Sequence, residues 1–204
     1  MTQAEAITAF VALFVVIDPI GLAPLFIALT RGAAPRARFI IGARAVAVAA
    51  ALLLLFGLAG EAVLDFLGIS LPAFQIAGGI LLFLTALDML FDRRTKRRED
   101  QAHTLEEDPS IFPLAMPLIA GPGAIATVIL LSGQAQGDPL YLAQVMGVAA
   151  LVLGGVLLLF SLASPVERLL GPTGINVVTR LLGMLLAALS VQFVLNGILA
   201  IWPN

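Results

Sequence analysis

The chain has 204 residues, 60% of them hydrophobic and 12% charged, with a mean hydropathy of +1.06 and a formal net charge of −2. A soluble domain is about 45–50% apolar and about 25% charged, so much of this surface needs lipid as its solvent, and the weak net charge implies no strong attraction to nucleic acid. The absence of cysteine excludes disulfides, thiol redox chemistry and thiolate metal sites, and the single histidine, His103, sits in a charged stretch, which argues against an intramembrane metal centre or Ser-His chemistry.

The N-terminal Met1-Thr2-Gln3-Ala4-Glu5 lacks a basic stretch, so the first apolar run reads as a retained span rather than a signal peptide. Six runs reach the roughly 20 residues needed to cross hydrocarbon, near 6–30, 42–64, 71–91, 111–132, 140–163 and 181–202. The expected fold is all-α, a polytopic membrane protein of six transmembrane helices embedded in the lipid bilayer. All 11 basic residues fall in the odd connections. Arg31, Arg36, Arg38 and Arg44 are in the first, Arg93, Arg94, Lys96, Arg97 and Arg98 in the third, and Arg168 and Arg180 in the fifth. The even connections have none, so the positive-inside rule places both termini on the outer face.

The middle of the first run carries Asp18-Pro19-Ile20-Gly21, with Pro24 behind it. A carboxylate and helix-disturbing prolines at that depth are costly in hydrocarbon. Asp is a good N-cap and Pro a good first helical residue, so the span reads as two half-helices, the second starting at Asp18/Pro19. Asp18 has two readings: it pairs with a substrate ammonium or takes up a proton or sodium ion, or it only caps its own half-helix. The fourth run has the same grammar at Gly121-Pro122-Gly123, 103 positions after Pro19. The two second halves would aim helix N-termini at the midplane from opposite sides, each with partial positive charge and free N–H groups. Ile20, Gly21, Gly121 and Gly123 complete a substrate site with accessible backbone, and Thr127, one turn beyond Gly123, is the best side-chain candidate to touch substrate.

Further polar residues lie on the spans. Asp88, near the end of span three, aligns with Gln192 at an offset of 104, so both are secondary candidates for the interface between halves, with Gln75 and Asn196. Gln75, Thr85, Thr127, Ser132, Ser190 and Asn196 are expected mostly to hydrogen-bond between helices. Gly78-Gly79 and Gly154-Gly155 are expected at close helix contacts, and Tyr141 and Trp202 at outer ends as interfacial anchors. The hydrophilic stretch 92–108 reads as a solvated hinge.

The halves repeat. At an offset of 103, Val63, Leu67 and Gly68 match Val166, Leu170 and Gly171; at 104, Gly79, Leu81 and Leu82 match Gly183, Leu185 and Leu186. The expected organisation is a single transmembrane domain, 1–204, made of repeat one (1–92), a cytoplasmic linker (93–108) and repeat two (109–204). Three spans per half turn the second half upside down. The result is two inverted three-helix repeats with broken helices one and four, the plan of many secondary transporters.

At these residues the chain resembles the MarC family of inner-membrane proteins. The resemblance covers nearly the whole chain. It is carried by Val16-Ile17-Asp18-Pro19-Ile20-Gly21 with Pro24 and Phe26, and most specifically by Pro113-Leu114-Ala115-Met116-Pro117-Leu118-Ile119-Ala120-Gly121-Pro122-Gly123-Ala124-Ile125. The stretches 73–83, Asp88-Met89-Leu90 and Val191-Gln192-Phe193-Val194-Leu195-Asn196-Gly197 add to it. The resemblance implies six spans in a bacterial inner (plasma) membrane and suggests transport of small neutral amino acids such as glycine or alanine. Some relatives have Asn where this chain has Leu22, a basic residue at Gln75 and Asp at Asn196. Specificity here can therefore differ, and an ion-coupling role at Asn196 is weakened.

The expected function is a secondary carrier of a small-molecule substrate, with a zwitterion's carboxylate on the half-helix N-termini and its ammonium near Asp18. The expectation includes no enzyme activity, no metal and no cofactor; a coupling proton or sodium ion and a homo-oligomer are left open. The alternative is a channel, or an ion-translocating or exporter protein for another small solute. The sequence offers no carboxylate pair within one span to support a membrane enzyme.

Overall fold

A computed structural model describes residues 1–91 and 109–202; Asp92 and the linker at 93–108, with His103, lie outside the described residues. The elements are α1 (Gln3–Ile17), α2 (Pro19–Leu29), α3 (Pro35–Phe66), α4 (Leu71–Leu90), α5 (Ser110–Ile119), α6 (Pro122–Gly133), α7 (Pro139–Ser161) and α8 (Ala163–Ile201), with no strand among the described residues. Five stretches are long and apolar enough to cross a membrane, α1 and α2 together counting as one. The pair α5–α6 makes a sixth if it is one broken crossing. The two segments are bent by 56° at the break between them.

Local chemistry sets the breaks. Asp18 ends α1 in the left-handed region, at φ 56° and ψ 63°, and Pro19 opens α2. Aspartate is among the few non-glycine residues that adopt this conformation. α5 is a π-type helix interrupted by extended backbone at Phe112 and Met116. Each precedes a proline, whose ring pushes the residue before it out of the helical region. Gly121 then caps α6, which Pro122 opens.

Two helices run further than their apolar runs. α3 starts at Pro35 rather than 42, so Arg36, Arg38 and Arg44 lie on the helix and not in a connection. The fifth connection is helical as well, because α8 starts at Ala163 rather than 181 and carries Arg168 and Arg180. Hydropathy marks the hydrocarbon-facing turns, whereas a helix continues wherever its backbone hydrogen bonds are best met internally. Gly171, at φ 63° and ψ 174°, breaks α8 before Pro172 resumes it. Gly68 has the same left-handed φ, 70°, between α3 and α4.

Side-chain contacts fix the relative directions. Met1 donates to Gln144 Oε1 at 2.6 Å, and Phe26 stacks on Phe160 with ring centroids 4.2 Å apart, so α1–α2 and α7 run alike. α6 opposes α4: a Cβ at Gly133 would meet Leu71, one at Gly78 would meet Leu130, and one at Gly123 would meet Leu82. α4 and α8 pair closely and also run oppositely. One end of the bundle holds Arg31, Arg36, Arg38 and Arg168, and the other holds Glu5, Glu61, Asp65 and Asp138. The core lies along the buried α1–α2, packed by Leu82, Ile119, Val128, Val145 and Val156 of the surrounding helices.

Gly78 and Gly79 pack as expected. A Cβ at Gly79 would sit 2.8 Å from the Ser190 carbonyl oxygen, and one at Gly183 would sit 3.3 Å from that of Ala86. Gly154 and Gly155 do not pack, since nothing lies within 4 Å of a Cβ at either. The hydroxyls also differ from expectation. Thr85, Thr127 and Ser190 donate to Leu81, Gly123 and Ala187 carbonyl oxygens on their own helices, and Gln192 donates to Asn196 one turn away. A carbonyl three or four residues back is the nearest acceptor a hydroxyl meets in hydrocarbon. Ser132 Oγ is buried with no partner.

Candidate functional site

Asp18 is fully buried near the middle of a 27-residue apolar stretch. Its backbone N–H donates to Phe14 O at 2.9 Å, and its Oδ1 accepts from Gly21 N–H at 3.1 Å. The carboxyl group thus caps α2 at that helix's positive end. Gly21 is required here: a Cβ would collide with both carboxylate oxygens.

The second break lies against the first. A Cβ at Gly123 would sit 2.8 Å from Val16 Cγ2, 3.4 Å from Leu82 Cδ2 and 3.7 Å from Thr85 Oγ1. Gly123 therefore touches the residue two before Asp18 and the middle of α4. One turn on, buried Thr127 donates to Gly123 O at 2.8 Å. Gly121 has no room for a side chain either, because a Cβ would lie 2.5 Å from Pro117 O.

The helix ends differ in what they hold. α2 leads from its break to the basic end, and α6 leads from its break to the acidic end. Both N-termini therefore face the same middle depth from opposite sides. That of α2 is occupied by Asp18, whereas α6 starts at Gly121 with no side-chain cap. The first N–H groups of α6 carry the partial positive charge of a helix start and have no side-chain cap. Pro19 is buried; Ile20, Gly21, Gly121 and Gly123 are half-buried, and Pro122 is exposed.

The structure packs Gly123 on Val16 next to the Asp18 break, sets buried Thr127 one turn further along α6, and spreads the secondary candidates. Gln75 is half-buried on α4, on the same face as Leu82 but two turns nearer the acidic end. Asp88 is half-buried one turn beyond Thr85 towards the basic end. Gln192 and Asn196 are exposed on α8 and bond each other at 2.7 Å. Sequence reasoning missed Thr85 and Val16 as walls of this place. Thr85 carried a signal, a hydroxyl in mid-span, but Val16 carried none. Among the described residues no group of three His, Cys, Asp or Glu side chains could hold a metal ion.

Comparison with known proteins places this geometry. Residues 4–202 match the MarC family integral membrane protein description. A UPF0056 membrane protein of Archaeoglobus fulgidus is 39% identical over 193 residues, 93% of this chain and 90% of its own. A UPF0056 membrane protein of Aquifex aeolicus is 37% identical, covering 94% and 91%. The UPF0056 inner membrane protein YhgN of Escherichia coli K12 is 36% identical, covering 95% and 96%. No solved structure matches.

Proposed function

The chain belongs to the MarC family of integral membrane proteins, and we propose that it is a secondary carrier of small neutral amino acids rather than an enzyme. The observation that carries the reading is the buried Asp18 at one helix break, with Gly123 of a second break packed two residues away from it. A zwitterion fits this pair. Its ammonium would take the side of Asp18, and its carboxylate the N–H groups of Gly123 and Ala124, which follow Pro122 at the N-terminus of α6. Gly21 and Gly121 allow the close backbone approach at the two breaks, and Thr127 and Thr85 would line the α6 and α4 sides. A proton or sodium ion is the coupling species that Asp18 could take up. No organic cofactor enters this reading.

Alternating access would come from two inverted repeats, 1–92 and 109–204, rocking about the site, with 93–108 as linker. Several placements support the repeat. Pro19 and Pro122 open α2 and α6, and Pro35 and Pro139 open α3 and α7, at offsets of 103 and 104. Gly68 and Gly171 share a left-handed φ. Gly79 faces Ser190 and Val194 while Gly183 faces Ala86 and Leu90, the same contacts exchanged between halves at an offset of 104. The basic end would face the cytoplasm, with both termini outside, in an inner membrane such as the Escherichia coli relative's name gives.

Counterflow tests the function. Proteoliposomes loaded with unlabelled alanine or glycine are expected to accumulate the labelled amino acid transiently above equilibrium, with saturation. Equilibration without overshoot would make the protein a channel, and no uptake across a panel of neutral amino acids would remove the substrate class.

A further inference from the structure

At the basic end a cleft of about 170 Å³ opens between α2, α3, α7 and the start of α8, lined by Phe26, Arg38, Phe39, Phe160, Ser161 and Ser164. A water occupies about 30 Å³ of liquid, so the cleft admits a small hydrated group but not a packed acyl chain. Its polar centre is Arg38, which is half-buried. The guanidinium is held from two sides. Nε donates to Thr30 Oγ1 at 3.1 Å, and Thr30, itself buried, donates onward to Phe26 O at 2.7 Å. Its carbon stands 5.8 Å from the centroid of the Phe26 ring, which is stacked on Phe160 at 1° between planes.

These contacts use Nε and the face of the guanidinium and leave its terminal nitrogens. No carboxylate among the described residues pairs with them. A half-buried cation with no counterion among the described residues is a place for an anion from outside. A planar fork with fixed orientation suits two oxygens of one phosphate. Ser161 Oγ donates to Leu157 O and can still accept, and Ser164 adds a second hydroxyl to the lining. Phe39, 54% exposed, lines the cleft, and Leu158, 60% exposed, follows the lining residue Leu157 on α7, so apolar surface is exposed on both helices. We propose that this cleft binds the phosphate of an anionic phospholipid headgroup, with the acyl chains running over that apolar surface. The proposal uses only membership of a membrane-protein family and is independent of what the Asp18 site carries.

The test is native mass spectrometry of the full chain, delipidated in neutral detergent, titrated with phosphatidylglycerol, phosphatidylcholine or inorganic phosphate. Phosphatidylglycerol is expected to bind with one preferred site, about tenfold or more tighter than phosphatidylcholine. Arg38→Gln should lose that preference, because a charge-assisted pair is worth about tenfold or more. Arg36→Gln, on the same helix and exposed, should keep it. Ser164→Leu leaves Arg38 in place and fills the cleft, so it should also lose the preference; it decides the matter if Arg38→Gln does not fold. Unchanged preference in Arg38→Gln or in folded Ser164→Leu overturns the assignment. So does equal binding of phosphatidylcholine by the wild type. Displacement of phosphatidylglycerol by millimolar inorganic phosphate overturns the lipid and makes a soluble phosphate the occupant.

Discussion

Asp18→Asn is expected to abolish amino-acid counterflow while leaving the protein folded. Asparagine has the same shape, caps a helix as well as aspartate does, and tolerates the left-handed backbone at this position at least as well. Its Oδ1 can still accept from Gly21 N–H. The substitution therefore removes the charge and little else, and thermal stability in detergent should stay within about 1 kcal/mol of wild type. Loss of the partner of a substrate ammonium should weaken binding by roughly 10- to 100-fold. Gly21→Ala separates charge from position. The new Cβ displaces the carboxylate without removing it, so counterflow should fall although the charge remains. If Asp18→Asn counterflows like wild type, Asp18 is a cap and the site needs another residue for the ammonium.

Gly79→Leu is expected to destabilise the folded protein by about 3 kcal/mol, the upper range for overpacking. Its Cβ meets a backbone carbonyl, Ser190 O at 2.8 Å, and Val194 on the same helix. Neither can move without parting α4 from α8. Gly183→Leu should cost a similar amount, because Ala86 O and Leu90 meet it in the same way. Gly154→Leu is the control: nothing lies within 4 Å, and leucine has the better helix propensity, so stability should be unchanged or slightly raised. Thermal unfolding in detergent distinguishes these outcomes. Equal melting of Gly79→Leu and Gly154→Leu would show that the α4–α8 contact is not what those glycines serve.

These paired glycines show where sequence reading stops. Gly78-Gly79 and Gly154-Gly155 look the same in the chain, yet one pair meets a neighbouring helix and the other meets open space. Helical periodicity states which residues share a face but not which face another helix will cover. The hydroxyls give the same lesson. Thr85 and Thr127 were expected to bond across helices, and the carbonyl one turn back on each one's own helix took the bond instead. The start of α8 was misread because apolar content marks where hydrocarbon is, whereas Arg168 and Arg180 sit on turns that remain helical outside it.

The sequence by itself determined the solvent, the approximate spans and both breaks, because those depend on local properties. They are the apolar content of a window and the backbone preferences of Asp18-Pro19 and Gly121-Pro122. Only the tertiary structure decided that Gly123 lies against Val16, that Asp18 is buried rather than lipid-facing, and that Arg38 is clamped over Phe26 at the mouth of a cleft. Those facts depend on which faces of helices far apart in the chain meet. That choice is made by packing the whole bundle at once, and no short window of residues encodes it.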